Sequence, residues 1–145
     1  MADSSAHIAA EDWIRKEWMP TQFGVRFARE RLKLSGGGQF DFDAVSPDDR
    51  IAAVISASAG KTASGRNALP KLMKIRSDIL FLLMSDLDRR LVIMSDKLLH
   101  DLCLAEMQKG RMPPGVELWH APLPLTLEER LRQSRIVAAD EVTPR

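Results

Sequence analysis

Hydrophobic and polar positions along the chain follow two different periods, and the change of period marks the predicted elements. Residues 8–19 predict an amphipathic helix, because apolar side chains recur there at helical spacing with charges between them. Pro20 and Gly24 are expected to end it. Residues 25–34 contain a half-exposed strand, since apolar and charged residues alternate toward their end.

The next two segments predict a pair of adjacent strands. Residues 39–45 alternate strictly. One predicted face holds Phe40, Phe42 and Ala44, and the other holds Asp41, Asp43 and Val45. Residues 51–58 are almost continuously apolar, which is typical of a strand covered on both sides. The turn at 46–49 is too short for a crossover, so the two strands are expected to pair antiparallel.

The second half of the chain alternates helices with strands. Helices are predicted over 69–86, over 98–109 and from Thr126 onward, where Thr126 and Glu129 form a capping box, and strands over 91–94 and 116–120. The apolar face of the first helix is predicted to carry Leu72, Met73, Ile75, Ile79, Leu80 and Leu83. Strands joined by helical crossovers pair in parallel. The predicted fold class is therefore α/β, with a mixed central sheet flanked by helices.

Composition and length restrict the class of protein further. A chain of 145 residues fits a single domain, here residues 1–145 with a core from about 8 to 138 and frayed ends. One cysteine cannot form an internal disulfide and favours a reducing compartment. The N-terminus lacks a signal-peptide pattern, and the longest apolar run, Ile79–Met84, is too short to span a bilayer. We expect a cytoplasmic protein without a membrane partner.

Charge is distributed unevenly, although the formal net charge is only +1. No Asp or Glu occurs between Ile51 and Ser77, where five basic residues lie. Hydroxyls and glycines accompany them in the loop before residue 69, which is the composition of an anion-binding loop. The predicted nucleic-acid or anion-binding residues are Lys61, Thr62, Ser64, Arg66, Lys71 and Lys74. The alternative is a solvated helix face and a mobile polar loop.

Two predicted strand segments resemble those of a known protein family. The segments are Phe40-Asp41-Phe42-Asp43-Ala44-Val45 and Val54-Ile55-Ser56-Ala57-Ser58. With the order of elements over roughly residues 8–120, they resemble the restriction-endonuclease-like superfamily, whose signature is PD-(D/E)xK. The resemblance implies an acid on the second strand, matched by Asp43, and an acid-x-Lys triplet on the third. It implies Mg²⁺ or Mn²⁺ on the carboxylates and cleavage of phosphodiesters.

The third strand departs from that signature. Ser56 stands where the family has its second carboxylate, and Ser58 stands where it has lysine. The resemblance then leaves Asp43, Ser56, Ser58 and Lys61 as candidate catalytic residues, with Lys61 replacing the missing lysine. Asp43 and Asp41 are the candidate metal ligands, and Glu11 or Glu17 on the first helix is a further candidate acid. Without a bound Mg²⁺ or Mn²⁺, no cofactor is expected.

Three functions remain open at this point, and whether the protein is an enzyme is not decided by the sequence. The first is a nuclease-like domain with a degraded motif that binds nucleic acid or a protein partner. The second is an active metal-dependent nuclease using Asp43 with substituted companions. The third is a self-associating module, a homodimer in which the strand at 116–120 pairs with a second copy. Cys103 and the tryptophans are interpreted as core residues.

Overall fold

The architecture is a five-stranded mixed sheet between two layers of helices. A computed structural model describes residues 4–61 and 65–142, with side chains described through residue 138. The helices are α1 (Ser5–Trp13), a π-helical turn (Ile14–Trp18), α2 (Met19–Phe23), α3 (Leu69–Leu83), α4 (Lys97–Gln108) and α5 (Leu125–Val142). The strands are β1 (Ala28–Lys33), β2 (Gln39–Val45), β3 (Ile51–Ser56), β4 (Arg89–Met94) and β5 (Glu117–His120).

The strands lie side by side in the order in which they occur along the chain. The first three form an antiparallel meander, because short turns join β1 to β2 and β2 to β3. β3 pairs in parallel with β4, and β4 with β5, across the helical crossovers α3 and α4. The predicted α/β class, the mixed sheet and both kinds of strand pairing are confirmed.

Two hydrophobic clusters lie on opposite faces of the sheet. α3 and α4 cover one face with buried side chains that include Leu72, Ile79 and Leu99. The N-terminal helices and α5 cover the other, which includes Ile14 and Leu131. Helices on both faces shield β3 and residues 91–94 of β4 from water, which explains the continuous apolar sequence of these segments.

The exposed side of α3 differs from the prediction. Leu72, Ile75, Ile79 and Leu82 face the sheet. Met73, Leu80 and Leu83, assigned by the pattern to the buried face, are 58, 54 and 41% exposed. The reason is that the apolar residues of α3 cover more of its circumference than the sheet can bury, and periodicity alone does not say which part faces the core.

The N-terminal helix continues past Pro20, which was expected to end it. A π-helical turn over Ile14–Trp18 precedes the proline, and the N–H of Met19 donates to Ile14 O, five residues back. The wider π-helical turn shifts the pattern of backbone hydrogen bonds. Pro20, which has no N–H to donate, is therefore accommodated in the turn that follows. The helix ends at Gly24, whose φ of 75° is left-handed.

β2 contains a β-bulge that changes which residues face each side. Ala28 pairs with Val45 and Glu30 with Phe42, so β2 advances three residues where β1 advances two. The predicted faces were therefore wrong beyond Phe42. Val45 packs in the same cluster as Phe42, whereas Ala44 packs against the N-terminal helix.

Helix α1 begins at Ser5 and buries Ala6, and α5 spans Leu125–Val142. The capping box predicted to open the last helix was wrong. Thr126 lies inside α5 and the N–H of Glu128 donates to Pro124 O, so Thr126 and Glu129 form no capping box. Within residues 4–61 and 65–142, every helix lacks the length or the apolar character that a membrane span requires.

Candidate functional site

Asp43 lies at the point where β2 and β3 separate. The two strands pair only at Ala44 with Ala53 and Val45 with Ala52. Beyond that pairing, the Asp43 carboxylate replaces a backbone partner, since its Oδ2 accepts a hydrogen bond of 2.8 Å from the N–H of Ile55. The bulge and this hydrogen bond hold the carboxylate in the fork between the strands.

Glu11 of α1 lies next to Asp43. The two side chains are close enough for the Asp43 carboxylate to act on the ionisation of Glu11. Burial raises the pKa of Glu11, the charge of Asp43 raises it further, and Arg15 and Arg29 oppose the increase. Two carboxyl groups therefore share one small region, and one of them is held above its ordinary pKa.

Arg15 organises this pair from the same helix. Its side chain is buried and donates from Nη2 to Glu11 Oε1 at 2.7 Å and from Nη1 to Asp12 Oδ1 at 2.7 Å. Its Nε donates to the backbone oxygen of Asp43, also at 2.7 Å. One guanidinium thus fixes α1 to β2 in the register that brings Glu11 to Asp43.

A cleft of about 190 Å³ opens beside the fork, between α1 and α3 at the end of β3. It is lined by His7, Glu11, Ile55, Ser56, Ala57, Ser58, Lys71, Lys74, Ile75 and Asp78. The candidate residues Ser56, Ser58, Lys71 and Lys74 thus meet one another and Glu11 in a single cleft. The Ser56 hydroxyl accepts a hydrogen bond of 3.2 Å from the N–H of Ser58 and shapes the end of the strand.

α3 contributes a second charged pair to the cleft wall. Lys74 Nζ lies 3.1 Å from Asp78 Oδ2, one helical turn away. Burial raises the pKa of Asp78, Lys74 opposes the increase, and Asp43 adds to it. Asp78 of α3 and Glu11 of α1 therefore line the same cleft.

Lys61 lies outside this cleft. It pairs with Asn67 in an isolated bridge, and its ammonium donates to Gly65 O at 3.3 Å within its own loop. Arg66 lies in the same loop and is exposed. Thr62 and Ser64 are outside the described residues. Of the predicted basic residues, only Lys71 and Lys74 line the cleft.

Gly60 anchors that loop to α4. Its N–H donates to Asp96 Oδ2 at 2.8 Å, and Asp96 also accepts from the N–H of Leu99 at the start of α4. A Cβ at Gly60 would lie 2.5 Å from Leu99 N. Glycine is therefore required here by close packing.

Asp41, the second candidate metal ligand, lies on an exposed part of the sheet. Arg31 of the neighbouring strand binds its carboxylate, with Nε 2.7 Å from Oδ1, and lowers the pKa of Asp41. It does not line the cleft. Glu17, the alternative helix acid, is exposed and also lies outside the cleft wall.

The donor set suits a hard divalent cation supported by few protein ligands. Among the described residues, no group of three or more His, Cys, Asp or Glu side chains is arranged to hold a metal ion. Glu11 and Asp43 offer two adjacent carboxylates. Mg²⁺ commonly uses one or two carboxylates and completes its shell with water and substrate phosphate. The pair therefore fits Mg²⁺ or Mn²⁺ as a partial site.

Other candidate residues are part of the core. Cys103 is fully buried, and burial raises the pKa of its thiol to about 11. Trp18 and Trp119 pack edge to face with ring centroids 6.0 Å apart. These arrangements confirm the interpretation of Cys103 and of these two tryptophans as packing residues.

Sequence reasoning missed two cleft residues, His7 and Asp78. His7 belongs to no motif, and Asp78 was not among the candidate residues. The spacing 71, 74 and 78 places all three on one side of α3, and this was the signal that a common site lay there.

The chain matches no protein-family model, and no curated protein or solved structure is significantly similar to it. The fold and the cleft therefore carry the functional argument.

Proposed function

We propose that the chain is a restriction-endonuclease-like domain that binds nucleic acid, with the sugar-phosphate backbone in the cleft between α1 and α3. The observation that carries this proposal is the shared cleft itself. It joins Lys71 and Lys74 to the end of β3, where the chain also presents the Ser58 hydroxyl. Lysines and hydroxyls are the usual phosphate contacts of nucleic-acid-binding proteins.

The order and pairing of the elements support the family assignment. A helix, an antiparallel meander, a crossover helix and a parallel fourth strand follow one another here as in that superfamily. The position of Asp43 at the end of β2, beside β3, agrees with the place of the family's strand acid. Ser56 and Ser58 remain the departures, and they remove the usual charges from β3.

A divalent cation would allow a phosphate ligand to bind near the acids of the cleft. Carboxylates at Glu11 and Asp43 repel phosphate on their own. A cation held by these two residues, Mg²⁺ or Mn²⁺, would reverse the sign of the field where the backbone approaches. Arg15 would keep Glu11 in place, and Lys74 would lie beside the phosphate from the opposite wall.

Fluorescence anisotropy with labelled single- and double-stranded DNA and RNA tests the binding proposal. Wild-type protein should bind with an affinity that falls steeply with salt. Lys74→Gln should weaken binding several-fold and lower the slope of log K against log salt by about 0.7–0.9, the value for one phosphate contact. The matched control is Lys97→Gln on α4, because Lys97 is equally exposed at 72% and pairs with an acid at the same spacing.

Two results would contradict nucleic-acid binding in this cleft. One is the absence of salt-dependent binding to all four nucleic acids in the presence of Mg²⁺. The other is an equal loss in the Lys74 and Lys97 variants, which would indicate a general effect of net charge.

Paramagnetic broadening by Mn²⁺ tests the cation site separately. Amide NMR signals of Glu11, Asp43 and Ile55 should broaden first, and Glu11→Gln should abolish the selective broadening. Asp41→Asn is the control, since that carboxylate is engaged by Arg31 outside the cleft. Broadening that begins on the exposed acids near Asp86 and Asp88 would place the cation elsewhere.

Cleavage of phosphodiesters is the second candidate, and the meeting of Asp78 and Lys74 with Glu11 favours it. These residues lie on helices and would supply the acid and the lysine that β3 lacks. In such a reaction water oxygen bonds to phosphorus, the bond to one ester oxygen breaks, and that oxygen takes up a proton. Incubation of the protein with DNA and RNA, in Mg²⁺ or Mn²⁺, should give cleavage that Asp43→Asn abolishes and Asp41→Asn retains. The absence of cleavage under all of these conditions would contradict nuclease activity.

Self-association is the third candidate, favoured by two surfaces. β5 is an edge strand of the sheet. α3 exposes Leu69, Met73, Leu80 and Leu83 along one stripe. Light scattering after size exclusion should give twice the chain mass if either surface pairs with a second copy. A monomer at all concentrations would exclude this function.

A further inference from the structure

Three basic side chains lie in the cleft or beside it. His7 of α1 and Lys71 of α3 both line the cleft. Arg135 of α5 donates from Nη2 to the backbone oxygen of Ala57 at 2.7 Å, and Ala57 also lines the cleft. Three helices, which come from both faces of the sheet, thus contribute basic groups near the end of β3.

These groups act on one another electrostatically. Burial lowers the pKa of His7, and the charges of Arg135 and Lys71 lower it further. No carboxylate contributes to this effect. Among the side chains described at residues 4–61 and 65–138, none of these three basic groups forms an ion pair with an acid. The acids of the cleft already have partners, Arg15 for Glu11 and Lys74 for Asp78.

Arg135 also contains a buried polar atom without a partner. Its Nε has no hydrogen-bond acceptor among the described residues. A buried donor that lacks an acceptor is unusual and unfavourable, so such an atom requires an explanation. A phosphate oxygen bound beside Ala57 would supply the acceptor, because Nε and Nη2 lie on the same edge of the guanidinium plane.

We propose that His7, Lys71 and Arg135 form a phosphate-binding subsite that holds one backbone phosphate next to the carboxylate pair. The identity of the biological ligand rests on the proposed function. The chemical class of the ligand is a phosphate dianion or diester. The subsite assigns Arg135, from a helix outside the family-like segment of residues 8–120, the role of fixing the backbone along the cleft. The carboxylate pair and this subsite would then lie beside different phosphates of one strand.

Inorganic phosphate tests the subsite without reference to nucleic acid. The chain contains three histidines, so ring proton NMR signals are few. The His7 signal, assigned by its loss in His7→Gln, should shift with added phosphate while the His100 and His120 signals stay in place. The shift should disappear in Arg135→Gln and persist in Arg132→Gln, whose arginine pairs with Glu129 on the exposed side of α5. Phosphate that leaves His7 unmoved, or moves it equally in the Arg135 variant, overturns the subsite.

The oligonucleotide assay then separates the subsite from the proposed function. With binding established, Arg135→Gln should lower the salt slope by about 0.7–0.9 and weaken affinity several-fold, and Arg132→Gln should not. Unchanged affinity and slope in Arg135→Gln overturn the subsite and leave the proposed function standing. A phosphate response at His7 without nucleic-acid binding would support the subsite and reject the proposed function.

Arg135→Lys guards against a folding artefact, because Arg135→Gln also loses the hydrogen bond to Ala57. Lysine keeps the charge but lacks the paired donors of the guanidinium. A folded Lys variant should respond to phosphate with reduced affinity. A Lys variant that matches wild type would show that only charge is needed and would overturn the assignment of Nε.

Discussion

The Asp43 carboxylate accepts a hydrogen bond of 2.8 Å from the backbone N–H of Ile55, at the point where their two strands part. This hydrogen bond gives Asp43 a structural task in addition to its proposed place beside a cation. It also makes the fork between β2 and β3 sensitive to the side chain at one position. Stability measurements can therefore separate the two roles.

Asp43→Ala should destabilise the fold by about 1–3 kcal/mol, because it leaves the part-buried N–H of Ile55 without an acceptor. Asp43→Asn keeps an acceptor oxygen and should lose less. Urea unfolding followed by circular dichroism measures both. Asp41→Ala is the control and should leave the midpoint nearly unchanged, since its pairing with Arg31 is solvent-exposed. Equal loss at the two positions would mean that the fork does not depend on Asp43.

Glu11→Gln should flatten part of the pH dependence of folding stability. The pKa of Glu11 in the folded protein is raised above its ordinary 4.5. Its contribution to folding stability is therefore fully present below pH 4.5 and is lost as pH rises through the higher folded-state pKa. Glutamine does not ionise, and it should improve stability relative to wild type as pH increases from 4 to 7.

Urea midpoints of the two proteins across this range measure the effect. Glu17→Gln, on an exposed part of the same helical segment, is the control. A Glu11→Gln protein that loses stability relative to wild type on going from pH 4 to 7 would contradict the assigned direction.

Gly60→Ala should cost about 1–3 kcal/mol, since a Cβ there would lie 2.5 Å from Leu99 N. Gly38→Ala is the matched control, because a Cβ at Gly38 meets no atom within 4 Å. Thermal unfolding of both variants checks the comparison. A Gly60 variant as stable as the Gly38 variant would show that the loop is not packed against α4.

Cys103 should resist thiol reagents in the native protein at pH 8. The thiol is fully buried, and its pKa of about 11 leaves little thiolate at that pH. Reaction with a chromogenic disulfide should become rapid only in denaturing urea. Immediate stoichiometric reaction without urea would contradict the burial of this residue.

The fold was more predictable from the sequence than the site was. The turn at residues 46–49 is a strong local signal, and it correctly predicted the antiparallel pairing of β2 with β3. Helical crossovers similarly specified the parallel strands. These features depend on short stretches of sequence, which is why pattern reasoning could find them.

The site depends on relations that no local pattern encodes. The bulge at Asp43 and Ala44 reverses the faces of Ala44 and Val45 without a glycine or proline to mark it. Glu11 reaches Asp43 because Arg15 fixes helix to strand across 28 positions of sequence. Arg135 reaches Ala57 from 78 positions away. Such contacts follow from packing of whole helices, so spacing within one element could not predict them.

The central claim is that nucleic acid binds in the cleft, and amide NMR spectra test it most directly. The protein is titrated with unlabelled DNA and RNA, as duplexes and as single strands, in the presence of Mg²⁺. Binding in the cleft predicts the largest shifts at residues 55–60, with further shifts at the first turns of α1 and α3. Shifts confined to β5 or to the exposed stripe of α3, or no shifts at all, would contradict the account.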